Sequence, residues 1–89
     1  MKLKIEKELI VILNNIISES KSKDEWAEIE SDDMYQSENY IGGYDADEEA
    51  FCFSYYDSKR NEYWFQLTLD EVEQILLGKI DEINIRASE

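Results

Sequence analysis

Carboxylates and phenols crowd one stretch of this chain. Between Asp24 and Ser58 stand twelve acids and no lysine or arginine: Asp24, Glu25, Glu28, Glu30, Asp32, Asp33, Glu38, Asp45, Asp47, Glu48, Glu49 and Asp57. The formal charge of the whole protein is −13, and nearly all of it originates here. Trp26, Tyr35, Tyr40, Tyr44, Phe51, Phe53, Tyr55 and Tyr56 are interleaved with these acids. Soluble surfaces ordinarily mix both signs, and charge of one sign makes a compact chain repel itself. The chemistry that such a pattern supports is recognition of a cationic partner. Asp32, Asp33, Tyr35, Glu38, Tyr40, Tyr44, Asp45, Asp47, Glu48, Glu49, Tyr56 and Asp57 are the candidate partner-binding residues.

Other chemistries find less material. An EF-hand loop beginning at Asp45 needs glycine at residue 50 and glutamate at residue 56, where this chain has Ala50 and Tyr56, so no metal site is expected. The chain has no histidine, the commonest general base and zinc ligand. Cys52 stands alone in a strand-like run, where a thiol is usually buried and inert. Gly42-Gly43 is not flanked by the strand-to-helix context of a phosphate loop. So small a domain can hardly enclose the cleft of a carboxylate-based glycosidase. The expectation is a protein that is not an enzyme and takes no cofactor.

At 89 residues the chain is expected to form one acidic domain spanning 1–89. Its hydrophobic content of 43% argues for a folded chain, because disorder requires low hydrophobicity as well as high charge. Acidity argues against nucleic acid, which needs a Lys/Arg footprint, and against anionic membranes, which attract polybasic segments. The charged N-terminus and the short apolar run Leu9–Leu13 fit neither a signal peptide nor a membrane span. A cytoplasmic location is the expectation.

The elements that must position the acids follow from periodicity. Leu3 to Ser20 reads as an amphipathic helix, with Ile5, Leu9, Ile12, Leu13 and Ile16 on one face, Ile10 and Ile17 widening it, and Lys21 and Lys23 at its C-terminus. Trp26–Glu30 is strand-like and Ser31–Ser37 a polar turn. Asn39–Tyr44 is extended, its paired glycines marking a bend or a close backbone approach, and Asp45–Glu49 is an acidic connection. Ala50–Tyr56 and Tyr63–Thr68 alternate cleanly and predict a hairpin joined by Asp57–Glu62. Phe51, Phe53, Tyr63, Phe65 and Leu67 then face a core. Cys52, Ser54, Tyr56, Trp64, Gln66 and Thr68 face away from it, where Trp64 fits an interface as well as it fits a cross-strand pair with Tyr56 or a place beneath the first helix.

Thr68 and Glu71 fit a capping box, Leu67 and Val72 a hydrophobic staple, and Gly78 the left-handed end of a short second helix. Alternation at Ile83 and Ile85 suggests a last strand. The predicted fold is α+β: an N-terminal helix, three to four antiparallel strands with a central hairpin, a short second helix and that last strand. Two helices on one face of the sheet leave the other to solvent or a partner.

In size, acidity and lack of catalytic groups, the chain resembles the small immunity proteins of bacterial toxin–immunity pairs. Those proteins share no diagnostic motif, so no residue roles carry over. The resemblance implies a cytoplasmic antidote that binds a cognate toxin, here a basic nuclease-type toxin, through an acidic and aromatic surface. Complementary charge speeds such an encounter and buried aromatics slow its reversal. A phage-encoded nucleic-acid mimic that inhibits a host defence nuclease would use the same carboxylates. A structural or self-associating adaptor domain would instead use the apolar faces, and its association would persist in high salt.

Overall fold

Alternation of large apolar side chains along two neighbouring segments builds the centre of the molecule. The computed structural model describes residues 1–18 and 35–87. The chain order is β1 (Lys2–Lys4), α1 (Lys7–Ser18), β2 (Tyr35–Gln36), β3 (Tyr40–Asp45), β4 (Ala50–Tyr56), β5 (Glu62–Leu67), α2 (Leu69–Leu76), β6 (Glu82–Asn84) and β7 (Arg86–Ala87). The protein is α+β. Five strands form an antiparallel sheet in the order β2-β3-β4-β5-β7, and β1 pairs with β6 in a separate two-stranded sheet.

The central hairpin has the predicted register. Phe51 pairs with Leu67, Phe53 with Phe65 and Tyr55 with Tyr63, so all six share one face. From β3, Tyr40 lies opposite Tyr55, Gly42 opposite Phe53 and Tyr44 opposite Phe51. Against this face α1 places Leu9, Ile12, Leu13 and Ile16, and α2 places Val72 and Ile75, in one continuous core. Phe53 stacks on Phe65 with ring centroids 5.4 Å apart. Gly42 is where that stack passes closest to the backbone of β3: a Cβ there would lie 2.5 Å from Phe53 Cδ1 and closer still to the Cys52 carbonyl oxygen.

Helix α2 begins as its sequence dictates. The Glu71 amide donates to Thr68 Oγ1 at 3.1 Å, and the Thr68 amide donates to Glu71 Oε1 at 3.0 Å, completing the capping box. Gly78 takes the left-handed conformation, with φ of 78°, just beyond the helix.

The N-terminus departs from expectation. Helix α1 starts at Lys7, and Leu3 belongs instead to β1, opposite Ile83 of β6. Ile5 donates its amide to Asp81 and Ile85 to Met1, each at 2.8 Å, extending that pairing beyond the strands. Leu3 and Ile5 fit a two-residue as well as a four-residue period, and pairing with a distant segment decides between them. Tyr35 and Gln36, read as part of a turn, form the edge strand β2 against Gly42 and Ile41. The last apolar alternation splits in two at Ile85, which is buried: β6 joins β1, and β7 pairs with β5. The main sheet therefore has five strands where three to four were expected. The predicted helix end at Glu19 and Ser20, the basic residues Lys21 and Lys23, the strand Trp26–Glu30 and the start of the following turn lie outside the described residues.

Candidate functional site

Antiparallel connectivity separates the acids into two groups. The β3–β4 connection lies at one end of the sheet; the β2–β3 and β4–β5 connections lie at the other. Asp45, Asp47, Glu48 and Glu49 therefore cluster at the first end. Because β5 also finishes there, beside the start of β4, the N-terminus of α2 brings Asp70 and Glu71 to the same end. No lysine or arginine occurs in either contributing segment, 45–50 or 67–73.

The β3–β4 turn organises itself. Asp45 Oδ1 accepts the Asp47 amide at 2.9 Å and the Glu48 amide at 3.3 Å. This side-chain-to-backbone bonding fixes a turn that aspartate favours. Glu49 closes the turn with φ of 52°. The side chains of Asp47, Glu48 and Glu49 are all exposed.

The opposite end is of mixed sign and its carboxylates hold the fold. Asp57 accepts backbone amides from Lys59 and Asn61 at 2.9 Å, the Asn61 side chain at 3.1 Å and the Tyr63 hydroxyl at 3.3 Å. Those bonds, the Asn61 amide foremost, hold its carboxyl below the usual range. A depressed carboxyl contributes stability above its unfolded pKa, about 3.9, and that contribution is lost as pH falls through the lower folded value. Asp57→Asn should lower the urea midpoint near neutral pH and flatten its decline in acid. An unchanged acid limb in denaturant titrations would contradict this role.

Lys59 and Arg60 lie in the same loop, with the Arg60 guanidinium 4.9 Å above the Tyr56 ring. Tyr56 donates its hydroxyl to Glu62 at 3.2 Å. In the β2–β3 turn Glu38 is exposed, and Glu8 of α1 braces that turn by accepting the Asn39 amide at 2.8 Å and the Ser37 hydroxyl.

The tyrosines expected at the acidic surface are largely elsewhere. Tyr40 is 1% exposed and belongs to the core, which corrects its assignment to partner binding. Its parity with Gly42 puts it on the helix side, where its hydroxyl donates to Glu6 at 3.1 Å. Burial foremost, then the Glu6 charge, push this phenol far above its ordinary value. Folding thus disfavours its ionisation, and stability should fall as pH rises past about 10. Tyr40→Phe should cost about 1–2 kcal/mol at neutral pH and flatten the alkaline limb. Equal alkaline slopes for the two proteins would rule this out.

Tyr35 and Tyr44 are half-buried and packed on the same core, Tyr44 meeting Phe51 edge-on at 5.3 Å. Asp32 and Asp33 lie outside the described residues. The acids gathered at the first end are four from the β3–β4 connection, joined by two of α2 that charge counting along the acidic window does not include. The signal for those two is present, since a capping box directly after β5 fixes where α2 begins.

Comparison with family models, curated proteins and solved structures finds no match.

Cys52 is half-buried on β4. Burial foremost, then the Asp45 charge, raise its thiol above the ordinary value, while Gln66 Nε2 donates to its sulfur at 3.6 Å. A protonated thiol is the unreactive form. Among the described residues no group of three or more His, Cys, Asp or Glu is placed to hold a metal ion. Nor, among them, is any helix long and apolar enough to cross a membrane.

Proposed function

We propose that this protein is a cytoplasmic inhibitor of the immunity type, which neutralises a basic, nuclease-type toxin by docking an acidic surface on it. The observation that carries this reading is the end of the sheet that holds Asp45 and the exposed Asp47, Glu48 and Glu49, with the N-terminus of α2 and its Asp70 and Glu71 at the same end and no base in segments 45–50 or 67–73. An enzyme that grips phosphates must present Lys/Arg in its cleft, and clustered carboxylates compete for that cleft. Long-range attraction raises the rate of encounter, which an antidote needs. The chain itself performs no reaction in this role and requires no cofactor.

The test is affinity capture on the tagged protein from a lysate of the source organism at low salt, followed by nuclease assays of what is retained. A basic nuclease that is captured, and silenced by a stoichiometric amount of the chain, supports the reading. Retention of no basic protein, or of a nuclease still fully active at saturation, contradicts it.

A further inference from the structure

We propose that the partner seats an apolar side chain on the open face of the five-stranded sheet, beside Trp64, with lysines or arginines rimming that contact. This rests on the basic-partner reading above and names the surface and chemistry that reading leaves open.

The register aligns Ile41, Ser54, Trp64 and Arg86 in one row across four strands, on the face turned away from both helices. The neighbouring row runs Gly43, Cys52, Gln66. Small residues on the central strand thus lie between two large apolar side chains. The result is a depression of about 260 Å³ walled by Ile41 and Trp64, with Cys52 and Ser54 in its floor. Both walls are open to solvent, Ile41 at 36% and Trp64 at 37% exposure. The Arg86 guanidinium lies 5.2 Å above the Trp64 ring, holding the indole in place. Tryptophan is among the residue types enriched at interface hot spots, and here it stands half-exposed beside a shallow apolar recess.

Charge selects the occupant. By the same alternation Asp45 projects on this face at the acidic end of the sheet. Asp45 and Glu48 lie near enough to Cys52 in the recess floor to help raise its thiol. Arg86, the base of that row, lies over Trp64 on the β7 side, away from Asp45 on β3, so the partner's basic groups fall on the Asp45 side of the recess. A second copy of this chain, also at −13, would be repelled. An apolar residue flanked by Lys/Arg meets both the recess and its rim.

Two peptides of equal length and charge separate the contributions: one alternating lysine with serine, the other lysine with leucine, titrated at low salt. The Lys–Leu peptide should bind about tenfold more tightly, as burial of leucine side chains implies. Trp64→Ala should remove that advantage and leave Lys–Ser binding unchanged; Ile41→Ser provides the same readout if Trp64→Ala fails to fold. Val11→Ser, on the exposed side of α1, should alter neither. An advantage that survives both recess variants, or is lost equally in Val11→Ser, overturns the site. If the Lys–Ser peptide binds and leucine adds nothing, the open-face site alone fails. If neither peptide binds, the basic-partner reading fails with it.

Discussion

Phe53→Ala should lower the free energy of unfolding by about 3–5 kcal/mol. Phe53 is 2% exposed, stacked on Phe65 and laid across Gly42. Truncation would leave a cavity bounded on one side by a residue with no side chain to move into it, so collapse is limited. A small domain has only about 5–15 kcal/mol in hand. The variant should therefore unfold at a much lower urea concentration with an unchanged denaturant slope. A loss well below about 1 kcal/mol would mean that the ring faces solvent and that the two faces of the hairpin are reversed.

Gly42→Ala should be nearly as damaging in proportion to its size, costing about 1–3 kcal/mol. One added methyl would collide with a backbone carbonyl, which cannot step aside, and with a ring already held by Phe65. The strain is shared, so Gly42→Ala combined with Phe53→Leu should cost less than the two single changes together. Strict additivity in equilibrium unfolding would show that the carbonyl contact alone decides the matter. A neutral Gly42→Ala would contradict the close approach of β3 and β4.

These two residues show what the sequence makes legible. The alternation in Ala50–Tyr56 and Tyr63–Thr68 declares a hairpin by itself, and the paired glycines announce a close approach. Thr68, Glu71 and Gly78 mark the limits of α2 because capping depends on neighbours three or four residues away. Strands of two or three residues carry no such local signal. β1, β2 and β7 exist through their partners, Ile83, Gly42 and Trp64 among them, and those partners are distant in sequence.

The candidate site was legible in charge but not in placement. The excess of acids around Asp45–Glu49 is plain from the chain, yet counting charges does not show that Glu38 and Asp57 belong to the other end of the sheet. Nor does it show that Asp57 is occupied in holding its own loop. Tyr40 illustrates the same limit. Its alternation with Gly42 and Tyr44 is visible, but which side faces the helices depends on pairing with Tyr55, Phe53 and Phe51. Sequence proximity to carboxylates made it resemble an interface residue; the register makes it core. Trp64 lies where its alternation with Tyr63 and Phe65 puts it, on the face turned from the core, with its ring half-exposed.

The proposed inhibitor depends on carboxylates gathered at one end of the sheet steering a cationic partner. Stopped-flow association of the captured partner with the native chain, and with a variant carrying Asp45→Asn, Asp47→Asn, Glu48→Gln and Glu49→Gln, measures that steering. The variant should associate about tenfold more slowly at low salt, with the gap narrowing as salt screens the native chain. Equal rates for the two proteins at low salt would contradict it.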